Sequence, residues 1–172
     1  MRISPLPPLE KDEKKFRMMD VTIRDARPDD LDAMTALLGD LFSIEADFAV
    51  DARRQQRGLT LMLDGCRKHR CVKVAETGER VVGMATAQML VSTAEGGMVA
   101  LIEDMVVDKD FRGLGIGRQL MASIEDWARQ HGACRLQLLA DRTNFSALDF
   151  YDRIGWRPTQ LICLRRKWNQ LP

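Results

Sequence analysis

A chain of 172 residues is long enough for one domain with a sizeable core. Its hydrophobic fraction of 45% and charged fraction of 30% are those of an ordinary globular protein. The formal net charge of +1 gives no overall attraction to DNA or RNA, so we expect no nucleic-acid partner. The short basic run Arg165-Arg166-Lys167 is better explained as solvated charge at a strand end. No apolar run reaches the roughly 18 residues of a membrane helix, so we expect no membrane partner.

The cysteine pattern predicts no metal site and favours free thiols. No two cysteines form a CxxC pair, and neither His69 nor His131 completes a cluster with zinc-like spacing. Scattered free thiols, which we expect to be buried, are typical of a reducing cytoplasm, although the sequence leaves a disulfide open. The stretch from Ile3 to Leu9 is interrupted by prolines and does not resemble a signal peptide, so we expect a cytoplasmic protein. The four cysteines are Cys66, Cys71, Cys134 and Cys163.

Residues 1–20 are predicted to form a flexible tail. Prolines come first, and a charged run from Glu10 to Lys15 follows, so this segment has little apolar surface to bury. The folded domain is expected from residue 21 to residue 172, with no internal repeat and no second domain.

The first elements of the domain are predicted to be a strand and two helices. Val21 to Arg24 is rich in β-branched residues, which favours a strand. Pro28-Asp29-Asp30 is typical of a helix start, because proline fits the first turn and aspartates complement its positive end. An apolar stripe of period 3.6 predicts a helix from Leu31 to Phe42, and a second stripe predicts a helix around Leu59 to Cys66.

Three strands and a long helix follow. The strands Cys71 to Glu76, Val81 to Val91 and Val99 to Val107 are joined by short glycine-containing turns, which predicts an antiparallel meander. The helix is predicted from about Leu114 to His131, where the next residue, a glycine, ends it. Its apolar face comprises Ile116, Leu120, Ile124, Trp127 and Ala128.

The last part of the chain is predicted to alternate strand, helix and strand. Alternating apolar residues predict a strand from Cys134 to Ala140. Asn144 is a good N-cap for a helix that Gly155 closes, and a last strand is expected around Gln160 to Arg166. Because a helix joins the Val99–Val107 strand to the Cys134–Ala140 strand, these two should be parallel neighbours in a mixed sheet.

A glycine-rich segment, Arg112-Gly113-Leu114-Gly115-Ile116-Gly117, lies between a predicted strand and the long helix. Glycines let the backbone approach a ligand closely, and free N–H groups at a helix N-terminus attract anions. Arg112 and Arg118 place positive charge on both sides. The pattern predicts an anion site, and its alternative is a glycine-rich connection without a ligand.

Two nucleotide-binding motifs do not fit this segment. A P-loop requires G-x-x-x-x-G-K-[ST], and no Lys-Ser or Lys-Thr follows here. A dinucleotide fingerprint requires G-x-G-x-x-G, and Arg118 stands where the third glycine belongs. The preceding antiparallel meander is also foreign to that fold.

Three segments match one family pattern in order and spacing. Arg112-x-x-Gly115-x-Gly117 fits the signature [QR]-x-x-G-x-[GA], and Glu103 to Val107 precedes it as a strand. The third segment fits N-x-x-A-x-x-[FL]-Y-x-x-x-G-[FW], through Asn144, Ala147, Phe150-Tyr151 and Gly155-Trp156. Together they resemble the GNAT superfamily of acyl-CoA-dependent N-acyltransferases. The resemblance implies a three-layer α/β (α+β) fold, with helices on both faces of a mixed, mostly antiparallel sheet that contains one splayed parallel pair.

The resemblance also implies acetyl-CoA as co-substrate, bound where the two parallel strands separate. Backbone groups of Met105 and Val107, with Val106 between them, would pair with the pantetheine arm as if it were an added strand. Asn144 would hydrogen-bond the pantetheine, and this role can coexist with capping a helix. The N–H groups around the pyrophosphate would be those of Arg112, Gly113, Gly115, Ile116, Gly117 and Arg118.

The chemistry of the family requires a base. An amine attacks a thioester only when neutral, and a lysine-type amine has a pKa of about 10.4, so a proton must be removed. Glu103 is the predicted base, because on an extended strand it would share an apolar face with Leu101, Met105 and Val107. A buried or semi-buried carboxylate there should have a raised pKa, which suits it to accept a proton. Asp104, on the opposite face, is the alternative.

Two further roles complete the predicted mechanism. Backbone N–H donors of a bulged strand near Val106 would stabilise the oxyanion. Tyr151, the only tyrosine of the chain, would protonate the departing CoA sulfur. Packing of Tyr151 in the core is the alternative to that role.

The acceptor site is predicted in the loop between the first two helices, where Phe42, Glu45, Asp47 and Phe48 would suit a cationic, partly apolar amine. A solvated loop with inward phenylalanines is the alternative. We therefore expect an N-acetyltransferase that moves acetyl from acetyl-CoA to a primary amine of a small molecule or peptide by direct attack. A non-catalytic acyl-CoA-binding or regulatory module of the same fold is the competing function. The identity of the amine and the formation of a homodimer are left open.

Overall fold

A computed structural model of the chain describes residues 20–44, 47–64, 69–166 and 168. The predicted tail up to residue 19, Glu45 and Cys66 lie outside these ranges. The elements in chain order are β1 (Val21–Asp25), a 3-10 turn (Pro28–Asp30), α1 (Leu31–Ile44), α2 (Ala52–Asp64), β2 (Arg70–Thr77), β3 (Arg80–Ser92), β4 (Gly97–Val107), a second 3-10 turn (Lys109–Phe111), α3 (Ile116–Gln130), β5 (Ala133–Leu138) and α4 (Phe145–Arg153).

The five strands form one mixed sheet in the order β1-β2-β3-β4-β5. The first four strands pair antiparallel, and β5 pairs parallel with β4. The crossover helix α3 joins these two parallel strands, because parallel neighbours cannot be connected by a tight turn. The predicted meander, and the parallel pair that follows it, are confirmed.

The pairing of β4 with β5 covers only part of β4. The parallel ladder runs from Met98 to Ile102 of β4, whereas the antiparallel ladder with β3 continues to Val107. On the β5 side, the last residues of β4 therefore have no strand partner among the described residues. The predicted parting of the two parallel strands corresponds to this open edge, from Glu103 to Val107.

A β-bulge interrupts β4 where the open edge begins. Ala87 of β3 pairs with Ile102 and Ala85 pairs with Met105, so the single residue Thr86 faces two residues of β4, Glu103 and Asp104. An extra residue shifts the alternation of side chains by one position. Side chains before and after the bulge that a regular strand would place on one face are therefore on opposite faces.

Helices cover both faces of the sheet, as predicted. The adjacent β3 residues Gly83 and Met84 point to opposite faces, since strand side chains alternate. Met84 belongs to the core beneath α1 and α2, whereas a Cβ added at Gly83 would lie 3.3 Å from the Leu120 side chain of α3. The core cluster beneath α1 and α2 comprises Met34, Leu37, Leu38, Leu59, Val72, Val74, Met84 and Val106.

The long helix α3 buries the predicted apolar face. It begins at Ile116 and ends at Gln130, two residues before Gly132, whose φ of 79° allows the turn that closes a helix. The buried side chains are Ile116, Leu120, Met121, Ile124, Trp127 and Ala128. The face predicted from the 3.6-residue period is therefore confirmed, with Met121 added to it.

The described chain divides into two compact units between Leu138 and Leu139. The second unit contains α4, which Asn144 caps and Gly155 follows with a φ of 94°. The prediction of a strand around Gln160 to Arg166 is wrong, because this stretch adopts no regular secondary structure. A strand needs a hydrogen-bonded neighbour, and the described part of the second unit contains no other strand. The single domain predicted from residue 21 to residue 172 remains a prediction.

The burial predicted for the thiols holds for one of the three cysteines that the structure describes. Cys71 on β2 is buried, whereas Cys134 and Cys163 are exposed. Cys134 lies on β5, an outer strand of the sheet, and Cys163 lies in the stretch without regular structure, so neither is covered. None of the helices in the described part of the chain combines the length and apolarity needed to cross a membrane.

Candidate active site

The glycine-rich segment forms the turn between β4 and α3. Gly113 and Gly115 adopt φ values of 78° and 76°, in the left-handed region that side chains other than glycine rarely adopt. Gly115 is the N-cap of α3, and no side chain among the described residues caps this helix end. Their left-handed backbone conformation therefore explains why both positions are glycine.

The N–H groups of this turn are available to a ligand. The first amide of α3 with a described acceptor is that of Gln119, which donates to the Gly115 carbonyl at 3.1 Å. For the six preceding amides, from Gly113 to Arg118, no acceptor lies among the described residues. Gly113 and Gly115 are exposed, and apart from its chain neighbours no described residue has an atom within 4 Å of a Cβ built on either. The turn is thus open at the surface, and helix-end amides of this kind bind phosphate groups.

Two arginines provide positive charge at the turn, and both are exposed. Arg112 also donates from Nε to the Val107 carbonyl at 3.0 Å, which ties the turn to the end of β4. Arg118 lies in the first turn of α3. Cationic side chains next to free amides favour a doubly charged anion such as a pyrophosphate.

A residue that sequence reasoning missed, Arg80, holds the strand end before the turn. Its guanidinium forms an ion pair with Asp108 and lies 5.2 Å from the centre of the Phe111 ring. Asp108 in turn accepts the Asp110 N–H at 3.0 Å. Arg80 and Asp108 are 28 residues apart, so no local pattern could have revealed the pair.

The open edge of β4 presents alternate backbone groups. The Asp108 amide donates to the Val82 carbonyl of β3 at 2.8 Å. Because alternate residues of a strand direct their backbone groups to the same neighbour, Val106 also faces β3, whereas Met105 and Val107 face the open edge. The backbone groups of Met105 and Val107 are therefore directed to the open edge, and the Val106 amide points away from it. The part predicted for these three residues in binding stays a prediction.

The bulge separates the two adjacent carboxylates. Leu101 pairs with Gln88 and Met105 pairs with Ala85, partners three residues apart on β3 that point to opposite faces. The apolar face predicted for Glu103 is therefore not continuous, because the bulge intervenes. Glu103 is exposed, so its predicted burial is wrong.

Asp104, the alternative base, is the carboxylate that the fold encloses. It is partly buried and accepts a 2.8 Å hydrogen bond from the Thr86 hydroxyl, which itself accepts the Asp104 N–H at 3.1 Å. Burial raises the pKa of Asp104 to about 6, with a smaller contribution from the Glu103 charge and an opposing one from the Thr86 hydrogen bond. A carboxyl group with such a pKa is ionised and basic at neutral pH.

The predicted residues of the second unit have local roles there. The Asn144 side chain accepts the Ala147 N–H at 3.1 Å, so its capping role is confirmed. Tyr151 is half-buried, with its ring 5.3 Å from Phe150 and 6.2 Å from Trp156. The parts predicted for Asn144 and Tyr151 in binding and proton transfer stay predictions.

An aromatic pair joins the last turn of α1 to the loop that follows it. The rings of Phe42 and Phe48 stack with centroids 5.1 Å apart. Phe42 packs against the core, whereas Phe48 is 48% exposed and Asp47 is also exposed. Phe42 is thus partly buried against the core, whereas the Phe48 ring, next to a carboxylate in the sequence, remains at the surface.

A groove of about 700 Å³ lies between α3 and the β1–β2 side of the sheet. Its lining includes Lys73, Asp126 and Trp127, and therefore charges of both signs. Neither the glycine turn nor Asp104 lines it. The groove is therefore separate from the candidate active site.

Comparison with known proteins identifies the family. Residues 35–156 match the profile of the Acetyltransferase (GNAT) family. Aminoalkylphosphonate N-acetyltransferase of Salmonella typhimurium is 30% identical over 135 residues, which cover 78% of this chain and 84% of that protein. An uncharacterized N-acetyltransferase of Methanocaldococcus jannaschii is 31% identical over 90 residues, covering 52% of this chain. The chain spans only 40% of the length of that second relative.

Solved structures show the same fold. An aminoglycoside N-acetyltransferase in complex with CoA superposes with a TM-score of 0.73, over 87% of this chain and 95% of that one, at 18% identity. This likeness concerns the fold, and the family follows from the sequence matches. By its matched residues and its mixed sheet with a parallel pair, the chain belongs to the GNAT family of acetyltransferases.

Proposed function

We propose that this protein is an acetyl-CoA-dependent N-acetyltransferase whose acceptor is a primary amine of a small molecule or peptide. The observation that carries the proposal is the row of amides from Gly113 to Arg118, which has no acceptor among the described residues and opens to the surface. The proposal requires these amides to hold the diphosphate of the co-substrate.

The residues of the first unit fit acetyl-CoA in two respects. The turn supplies N–H donors and two arginines for the diphosphate. The open edge of β4 offers the backbone groups of Met105 and Val107 to an extended, amide-containing chain, in the manner of an added strand. Acetyl-CoA itself supplies a thioester carbonyl that a neutral amine can attack.

We assign the base to Asp104 rather than to Glu103. The acceptor amine must lose a proton, and a carboxylate with a pKa of about 6 is a better proton acceptor at neutral pH than one with the ordinary value of 3.8. Asp104 also lies at the bulge where the open edge of β4 begins. Transfer through a water molecule would suffice. Glu103, predicted from the sequence, is the alternative that mutagenesis must exclude.

Tyr151 and Asn144 complete the proposal through the family motif that they match. Tyr151 would donate a proton to the departing CoA sulfur, and Asn144 would hydrogen-bond the pantetheine while capping α4. Replacing Tyr151 with phenylalanine keeps the ring contacts and removes only the hydroxyl. We expect this variant to lower turnover about a hundredfold and to change the Kd for acetyl-CoA little. A variant with parental turnover would remove Tyr151 from the acid role.

The acceptor is proposed to be a cationic amine with an apolar part. Phe48 exposes an aromatic ring and Asp47 exposes a carboxylate in the same loop. The relative in Salmonella typhimurium is named for aminoalkylphosphonates, so an anionic substituent on the amine belongs in the same screen. Release of CoA thiol from acetyl-CoA, measured across diamines, aminoalkylphosphonates, amino sugars and peptides, would identify the class.

Calorimetry with acetyl-CoA is the experiment that decides the proposal. We expect saturable binding of acetyl-CoA, and thiol release with at least one amine of the screen. Binding without turnover on any amine would favour the non-catalytic acyl-CoA-binding module. No binding heat at millimolar acetyl-CoA would overturn both functions, because the free amides would then lack their ligand.

A further inference from the structure

We propose that Thr86 is a positioning residue, which acts through Asp104 by fixing the bulge of β4 and the orientation of the carboxyl group. The structural part of this proposal concerns two side chains of the first unit and stands on their geometry. Its kinetic part rests on the proposed function.

Thr86 is a polar residue in an apolar place. Its relative exposure is 0%, and its neighbours along β3 are Ala85 and Ala87. In the sheet Thr86 pairs with Val72 of β2, which belongs to the core cluster beneath α1 and α2. The Thr86 hydroxyl therefore lies on that face of the sheet. A buried hydroxyl costs free energy unless it is hydrogen-bonded, so its partner determines whether it is tolerated.

Both hydrogen bonds of the Thr86 hydroxyl go to one residue. The hydroxyl donates to Asp104 Oδ2 at 2.8 Å and accepts the Asp104 backbone N–H at 3.1 Å. A bulge leaves an extra residue outside the regular ladder. The hydroxyl supplies the acceptor that this extra residue needs and at the same time holds its carboxyl group in one orientation. A valine of nearly the same shape could do neither.

No described charged side chain of α1, α2 or β4 stabilises the ionised form of Asp104, so the Thr86 hydroxyl is its specific partner. On β4 the adjacent Glu103 carries a like charge, which disfavours ionisation of Asp104. On α1 and α2, which cover this face, every charged residue is at least partly exposed, and none forms an ion pair or hydrogen bond with Asp104. These helix residues are Asp32, Asp40, Arg53, Arg54, Arg57 and Asp64. Among the described residues, Thr86 is therefore the group that favours the ionised carboxylate.

The first test measures the Asp104 carboxyl directly, without acetyl-CoA. The full chain is labelled with 13C in its aspartates, and the Asp104 signal, assigned with Asp104→Asn, is followed by NMR from pH 4 to pH 9. Thr86→Val should move the midpoint to higher pH by about one unit, because a hydrogen bond to the charged form has been lost. Thr86→Ser keeps the hydroxyl and should titrate as the parent does. Should the valine variant fail to fold, Thr86→Ala removes the same hydroxyl without adding a methyl group.

The second test follows turnover with pH. We expect the acid limb of kcat for Thr86→Val to move upward by the same amount as the NMR midpoint, while the KM for acetyl-CoA stays within about twofold. Thr86→Ser should recover the parental profile. A lost core contact would instead lower kcat equally at all pH values.

The two tests separate the possible failures. Equal NMR midpoints for the parent and for Thr86→Val, or for Thr86→Ala if valine does not fold, would overturn the proposal. A shifted midpoint with an unmoved kcat profile would overturn the catalytic part and leave the coupling of the two side chains standing. If the parent releases no thiol with any amine, the proposed function fails, and the NMR titration alone still decides whether Thr86 governs Asp104.

Discussion

Two adjacent carboxylates at the bulge of β4 have opposite surroundings. Glu103 is exposed, whereas Asp104 is partly buried and held by Thr86. The difference arises from one extra residue in the ladder, because the bulge turns neighbouring side chains away from their regular positions. At the scale of single residues, the assignment of the base therefore depends on backbone pairing more than on residue type.

Replacing each carboxylate by its amide tests this assignment. Asp104→Asn should lower kcat by about 10²-fold or more and abolish the acid limb near pH 6, because the proton acceptor is removed. Glu103→Gln is the matched variant, and it should lower kcat much less. Steady-state kinetics from pH 5 to pH 9 provide the measurement. The opposite order of effects would return the role to Glu103.

The same substitution should alter stability in a pH-dependent way. The pKa of folded Asp104, about 6, lies above the ordinary value of 3.8, so the folded state binds this proton more tightly than the unfolded state does. The resulting stability is present below about pH 3.8 and is lost as pH rises through 6. Asp104→Asn should therefore raise the free energy of unfolding at pH 7.5 by on the order of 2–3 kcal/mol. Urea unfolding of the parent and of Asp104→Asn provides the measurement. A lower stability of the variant would mean that burial does not disfavour the ionised carboxylate.

The glycines of the turn can be tested against a glycine elsewhere with the same backbone conformation. Gly115 and Gly78 have φ values of 76° and 59°, and a Cβ on either would meet no described atom within 4 Å beyond its chain neighbours. Alanine at either position should cost about 1–2 kcal/mol of backbone strain. Only Gly115→Ala should weaken acetyl-CoA binding, by about tenfold or more, because its methyl group would lie at the amides of the helix end. Equal Kd values for the two variants would mean that the turn does not hold the diphosphate.

At the scale of elements, α3 packs closely on the sheet at Gly83. A Cβ added there would lie 3.1 Å from the Val106 carbonyl oxygen and 3.3 Å from the Leu120 side chain. A small residue at this point lets the helix approach β3 and β4, and the same helix starts at the glycine turn. The close approach therefore fixes α3 against the strand that forms the open edge.

Two alanine substitutions should have opposite effects on stability. Gly83→Ala should destabilise the fold by about 1–3 kcal/mol, because the core and the helix must shift to admit the methyl group. Gly58→Ala lies in the middle of α2, where the added Cβ would meet no described atom within 4 Å outside the adjoining helix backbone, and it should stabilise the fold by about 0.5–1 kcal/mol. Thermal unfolding of the two variants makes the comparison. A Gly83→Ala variant more stable than the parent would show that α3 does not pack tightly on the sheet at this position.

At the scale of the whole molecule, one arginine connects the start of the sheet to the first helical turn. Arg24 of β1 donates from both terminal nitrogens to Asp30, at 2.7 and 2.8 Å, and from Nε and Nη2 to Glu76, at 2.9 and 2.8 Å. Asp30 is 7% exposed and also accepts the Arg27 N–H at 2.7 Å. This network joins β1, the 3-10 turn and β2, and it orients the entry into α1.

Removal of the arginine should destabilise the protein in a pH-dependent manner. Arg24→Leu would leave the enclosed Asp30 carboxylate without its partner, at a cost of about 2–4 kcal/mol at pH 7. The hydrogen bonds from Arg24 lower the pKa of Asp30, so the stability they contribute is present above its ordinary value of 3.8 and is lost as pH falls through the lowered one. The difference from the parent in urea unfolding should therefore shrink at pH 3. A difference independent of pH would mean that packing of the arginine side chain, rather than its charge, is what stabilises the fold.

Local sequence determined much of this protein. Apolar periodicity predicted α1, the buried face of α3 and the meander, since a helix or strand records its buried side in its own spacing. The glycine turn was also readable, because a left-handed φ at Gly115 and free amides at a helix start are local properties.

Only the tertiary structure decided the position of the bulge, the burial of the carboxylates and the extent of the parallel ladder. The physical reason is that these features depend on contacts between residues far apart in the chain. Thr86 and Asp104 are 18 residues apart, and the bulge that joins them exists only once β3 and β4 have paired. The burial of Asp104 instead of Glu103, and the end of the parallel ladder at Ile102, follow from that register. The stretch from Gln160 to Arg166 was predicted as a strand from its own residues and forms none, because the described part of the second unit contains no other strand to pair with it.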